Sequence, residues 1–206
     1  MSFHPLMAYE PARFQKSERD TLDEGKPFEF TRERRAILDE MLTRYPADQR
    51  RSAVLGALYL VQEQEGYLTA NGLRHVAGIL DMTPAEVEDV ATYYVMFFKE
   101  RVGKYVLQVC RTLSCALGGA ERVTEALSDK LGIKVGETDA SGMFTLLEFE
   151  CLGACDRAPV VMINNEHWQE HQRPEDIPRF LEDLRRRGLS ALSGCHLVPA
   201  GEREPR

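Results

Sequence analysis

The sequence predicts an α/β chain in two parts, a small helical bundle followed by a unit of mixed strands and helices. Three observations carry this expectation. Apolar residues between positions 31 and 98 recur at helical spacing and are punctuated by helix start and stop signals. Near Gly103 the pattern changes to short β-rich runs, separated by turn residues and two further helical stretches. Two close cysteine pairs, Cys110 with Cys115 and Cys151 with Cys155, sit where β-rich runs give way to loops.

Taken in order, residues 1–30 are polar, contain Pro5, Pro11 and Pro27, and show no period. They read as a flexible arm that a partner would order. Ile37, Leu38, Met41, Leu42 and Tyr45 mark a first helix, closed by Pro46. Val54, Leu55, Leu58, Val61 and Gln62 mark a second, ended by Gly66, and Leu73, Val76, Ala77 and Leu80 a third. The fourth has a defined start: Thr83 as N-cap, Pro84 at the first helical position and Glu86 completing a capping box. Its apolar stripe is Val87, Val90, Ala91 and Tyr94. Four short amphipathic helices with short links make a bundle over residues 31–103.

The second part starts with a buried strand over Tyr105 to Cys110. A helix is expected from Ala116 to Lys130, with Ala116, Ala120, Val123 and Leu127 on one face and Gly132 as its stop. Asp139 to Gly142 is a turn, Phe144 to Glu150 a second strand, and Pro159 to Ile163 a third. Asn164-Asn165 suits a tight hairpin turn. Pro174 opens a last helix with Ile177, Phe180, Leu181 and Leu184 inward, and Arg185, Arg186 and Arg187 complementing the dipole at its end. The order is strand, helix, strand, strand, helix over 104–188, followed by a loose tail over 189–206.

Composition narrows the function. The chain has 206 residues, 26 Lys plus Arg against 33 Asp plus Glu, and a net charge of −7. No basic face emerges, so nucleic acid is not an expected partner. No apolar run approaches the roughly 20 residues that cross a bilayer, so no membrane span is expected. The amino-terminal stretch lacks an apolar core and carries Glu10, Glu18, Asp20, Asp23 and Glu24, unlike a leader or transit peptide. A reducing compartment follows, and disulfides do not fit it. Five cysteines, four of them paired by spacing, favour metal binding over a disulfide framework.

Two thiolate pairs on two loops match the ligand set of a 2Fe–2S cluster, in which each iron takes two cysteine sulfurs. A four-cysteine zinc site is the rival reading, since zinc knuckles accept these gaps too. A negative cluster needs nearby donors and cations. Arg111, Thr112 and Ser114 lie in the first loop, and Gly118-Gly119 lets backbone approach closely. The second loop has small residues, Gly153 among them, and Arg157 follows it. Arg111 and Arg157 read equally well as solvated surface side chains. Cys195-His196 lies in the polar tail, and Cys195 is expected to be free. His75 falls between helical core positions and reads as structural; His167 and His171 flank Trp168 near a turn and read as surface residues. No Gly-rich phosphate loop or dinucleotide fingerprint is present, so neither NADH nor a flavin is expected on this chain.

At these residues the chain resembles a known family. Val109-Cys110-Arg111-Thr112-Leu113-Ser114-Cys115 and Glu150-Cys151-Leu152-Gly153-Ala154-Cys155 resemble the ligand loops of the E subunit of NADH:quinone oxidoreductase, respiratory complex I. The stretches from Tyr59 to Leu68 and from Val90 to Phe97 agree, and the resemblance runs from about Phe30 to Gly188. Many relatives carry proline where this chain has Ser114. The resemblance implies iron rather than zinc, with Cys110, Cys115, Cys151 and Cys155 as ligands. It also implies a thioredoxin-like 2Fe–2S ferredoxin domain behind a helical docking domain.

The implied function is electron transfer. The cluster exchanges one electron with FMN on a partner subunit that also binds NADH, and hydride chemistry belongs to that partner. Other peripheral-arm subunits are further partners, on the cytoplasmic side of the inner membrane. The equivalent 2Fe–2S subunit of an NAD-linked hydrogenase or formate dehydrogenase uses the same module. A free thioredoxin-like ferredoxin would have no use for the helical domain, and a zinc adaptor would hold no acid-labile sulfide.

Overall fold

The structure, a computed structural model, describes residues 27–192. The arm expected over 1–30 lies outside the described residues as far as position 26, and the expected tail does so from position 193, Cys195 and His196 included. The chain divides into two compact units between Arg101 and Val102. No helix among the described residues is long and apolar enough to cross a membrane.

The first unit is helical: α1 (Arg32–Leu42), α2 (Val54–Glu65), α3 (Ala70–Leu80) and α4 (Pro84–Tyr93). Each start has a local cause. Thr31 and Thr69 accept from Arg34 N–H and Gly72 N–H, and Thr83 with Glu86 forms the full capping box. Hydrogen bonds from the Thr83 backbone amide and hydroxyl, joined by Arg51, hold the Glu86 carboxyl down at a pKa of about 2. Leu38, Leu58, Val61, Leu68, Val76, Leu80 and Val87 fill the core. Ile37, expected inward, is 49% exposed, because Leu38 and Leu42 at i and i+4 already occupy the buried stripe of α1. A 3₁₀ segment over Ala47–Ala53, which the sequence did not announce, leads into α2.

Two glutamines of α2 tie down the chain on either side of the bundle. Gln62, read from the sequence as part of the apolar stripe, is buried, but its amide donates to Met96 O (3.0 Å) and accepts from Phe98 N–H (2.7 Å). Gln64 donates to Glu29 O (2.9 Å) and accepts from Thr31 N–H (3.0 Å). Residues 28–30, expected as the end of a flexible arm, are instead fixed on the bundle, with Phe28 buried against the ring of His75 (5.4 Å between centroids). His75 packs on Phe30 as well, and burial followed by the Arg35 charge lowers its pKa.

The second unit is a four-stranded sheet in the order β2-β1-β3-β4, formed by β1 (Tyr105–Cys110), β2 (Phe144–Phe149), β3 (Val161–Ile163) and β4 (His167–Gln169). β1 and β2 are parallel, whereas β1–β3 and β3–β4 are antiparallel. β1 is buried throughout, as a central strand should be. The core joins its Tyr105, Leu107 and Val109 to Val123 and Leu127 of α6 (Ala120–Leu131) and to Ile177, Leu181 and Leu184 of α7 (Ile177–Arg187). Gln108 is fully buried, yet its amide donates to Asn165 Oδ1 (2.6 Å) and accepts from Asn165 N–H (3.1 Å). That pairing locks the β3–β4 hairpin onto β1.

Three expectations are corrected here. The helix expected over Ala116–Lys130 is two helices, α5 (Leu113–Leu117) and α6. Gly119 sits between them at φ +95°, which a continuing right-handed helix does not allow. The hairpin loop is three residues, Asn164 to Glu166, with both asparagines at positive φ. β4 was not anticipated: it has only three residues, alternates little, and is an edge strand.

Replacing Gln62 with Leu keeps the volume but strands a carbonyl and an amide. We expect Gln62→Leu to destabilise the helical unit by about 2 kcal/mol, read as a lower urea midpoint; an unchanged midpoint would contradict the role given to this side chain.

Candidate functional site

The site starts from strand register. β1 and β2 run parallel with Cys110 paired to Phe149. Parallel neighbours end at the same sheet edge, so the loops after both strands emerge side by side. The first loop passes through Arg111 and Thr112 into α5, which carries Cys115. The second runs from Glu150 through Cys151 to Cys155, where a short 3₁₀ turn, Cys155–Arg157, begins. Two cysteine pairs far apart in sequence are thus delivered to one place. Cys110 and Cys115 are buried, whereas Cys151 and Cys155 are exposed.

The thiols crowd one another. Cys151 Sγ lies 3.3 Å from Cys155 Sγ, and Cys110 Sγ lies 3.2 Å from the Thr112 hydroxyl. Burial, then the neighbouring Cys110 thiol, push Cys115 up to a pKa of about 11, and the Cys155 charge adds to this. Cys151, through its hydrogen bond and its charge, pushes Cys155 up. Cys151 is held down, chiefly by the Gly153 amide, which donates to its sulfur at 3.4 Å, and then by Cys155 and Thr112. Gly153 has φ +78°, a left-handed turn that glycine adopts freely.

This donor set fits a metal group. Packed thiols oppose each other's ionisation, and bound cations remove that opposition. Among the described residues no three His, Cys, Asp or Glu side chains converge to hold a single ion. The closest thiol pair is Cys151 with Cys155, and Cys110 interacts with Cys115.

The two arginines, read equally as counter-charges or as solvated side chains, are ion-paired. Arg111 pairs with Glu150 (2.8 Å), and Arg157 pairs with Glu170 (2.8 Å). Ser114 sits within α5, its carbonyl accepting from Gly118 N–H at 2.9 Å. His171 is exposed, as its sequence context suggested, but His167 is half-buried in β4. Sequence reasoning missed Trp168. Its indole N–H donates to Leu152 O (2.9 Å), inside the second cysteine loop. The one signal for it was the chain's single tryptophan beside a hairpin turn, since a half-buried indole N–H needs an acceptor.

Residues 38–185 match the family described as thioredoxin-like 2Fe–2S ferredoxin. The chain is 39% identical over 156 residues to NADH-quinone oxidoreductase subunit 2 of Thermus thermophilus, covering 76% of this chain and 86% of that one. It is 41% identical over 144 residues to the E subunit of the NADH-quinone oxidoreductase of Rickettsia felis, covering 69% and 86%. Among solved structures it resembles an NAD+-reducing NiFe-hydrogenase in the H2-reduced state, with a TM-score of 0.57 and 18% identity over 73% of this chain and 23% of that one, a likeness of fold alone. The chain belongs to the thioredoxin-like 2Fe–2S ferredoxins, in the branch formed by the E subunits of NADH-quinone oxidoreductases. That membership gives it a role in electron transfer.

Trp168→Phe removes the tie to Leu152 while keeping most of the ring. We expect a loss of about 1 kcal/mol and faster amide exchange confined to residues 151–157; exchange unchanged there would show that the indole does not hold the loop.

Proposed function

We propose that this chain is the electron-transfer subunit of an NADH:quinone oxidoreductase, with one 2Fe–2S cluster held by Cys110 and Cys115 on one iron and Cys151 and Cys155 on the other. The observation that carries the reading is the parallel β1–β2 register, which brings two thiol pairs from separate loops to one sheet edge. The bound cluster would supply a one-electron exchange with FMN on the partner subunit, where NADH is oxidised. The chain's own residues supply the rest. The cysteines provide four sulfurs, the Gly153 amide donates to one of them, and Trp168 steadies the loop that carries two of them.

The helical domain over 31–103, with the arm at 1–30, would serve as docking surface for the flavin-bearing subunit and other peripheral-arm subunits. The 104–188 domain would carry the cluster, and 189–206 would be a tail. The assembly would lie peripherally on the cytoplasmic side of the inner membrane. The equivalent subunit of an NAD-linked hydrogenase or formate dehydrogenase would use the same four cysteines. Anaerobic co-purification with an NADH-binding flavoprotein and quinone-reducing subunits supports the first assembly; a hydrogenase or formate dehydrogenase subunit in their place assigns the second.

Ligation is tested in the full chain by Cys155→Ser. Replacing one sulfur by oxygen should shift the visible charge-transfer bands and the EPR g-values of the reduced protein, or abolish the cluster. A four-thiolate spectrum retained in this variant would sink the assignment.

A further inference from the structure

Thr112 stands between the two cysteine pairs. It is the N-cap residue of α5, a position where threonine ordinarily accepts from an amide of the first turn, yet its side chain makes no capping bond. Its hydroxyl lies 3.2 Å from Cys110 Sγ and also interacts with Cys151. One hydroxyl therefore faces a sulfur from each loop, and the helix has no claim on it. A ligating cysteine is a thiolate with no proton to give, so in the loaded protein the hydroxyl must be the donor.

Two further donors near these sulfurs are backbone amides, from Gly153 to Cys151 and from Val160 to Cys115. Those bonds come with the fold. The bond from Thr112 comes with a side chain and can be altered without changing the backbone. A hydrogen bond to a cluster sulfur favours the more negative, reduced state, and so raises the reduction potential.

We propose that Thr112 is a positioning residue that raises the reduction potential of the cluster by donating its hydroxyl proton to a cysteine sulfur. The inference rests on the ligand reading given under Proposed function. The electron count is unaffected: no bond to iron forms or breaks, and the proton stays on Oγ1.

The test is EPR-monitored redox titration of the full chain, purified anaerobically, as wild type, Thr112→Ser, Thr112→Val and Thr112→Ala. Iron and sulfide are counted first. A wild-type chain without a cluster overturns the ligand reading, and this inference with it, before any titration. With clusters present, Val and Ala should behave alike. At the wild-type midpoint their reduced-to-oxidised ratio should fall about three- to tenfold, while Ser stays within about twofold of wild type. A ranking that follows side-chain size, with Val like Thr and Ser like Ala, would overturn the proposal. Equal midpoints in all four proteins would do so too, as would loss of the cluster from the Ser variant.

Discussion

Everything at the site depends on two strands running side by side in the same direction. Cys110 ends β1, and its partner in the ladder, Phe149, ends β2 two residues before Cys151. In an antiparallel pair the two loops would leave from opposite edges of the sheet. A register slip of two residues would move one loop by roughly 6–7 Å along the strand, well beyond the reach of a shared cluster. The burial of β1 on both faces, the Gln108–Asn165 clasp and the core residues of α6 and α7 are therefore part of the site's chemistry. They fix the register that the sulfurs require.

The electrostatics follow from this delivery. Burial, then the Cys110 thiol, raises Cys115, and the Cys151 thiol raises Cys155, so the thiols resist ionising together. Arg111 and Arg157 are ion-paired with Glu150 and Glu170. Dipolar groups lie close to sulfur: the amides of Gly153 and Val160 and the hydroxyl of Thr112. Such a site leaves the burden of positive charge to the metal, and uses hydrogen bonds to set how readily a further electron is accepted.

Much of this was legible in the sequence where the signal is local. Thr83-Pro84 with Glu86, Gly66 and Gly132 mark helix ends through bonds made within a few residues. The β-rich run of β1 announced a buried strand. Legibility failed where the cause is distant. Gln62 looked like one more stripe position, because its partners at Met96 and Phe98 lie more than thirty residues away. Trp168 gave no hint that it reaches Leu152, and β4 was too short to show a period. At the site, spacing identified the cysteine pairs and position marked Thr112 as a hydroxyl donor, but neither could reveal that Thr112 leaves its helix uncapped. Arg111 and Arg157 were visible as cations, and their ion pairs were not.

The central claim is that four thiols in two pairs hold two irons and two sulfides. It is tested most directly by measuring iron and acid-labile sulfide in anaerobically purified protein, with EPR before and after dithionite. The account predicts two irons and two sulfides per chain, no signal as isolated, and a rhombic signal on reduction. Zinc without sulfide, or no metal in protein kept free of oxygen throughout, would contradict it.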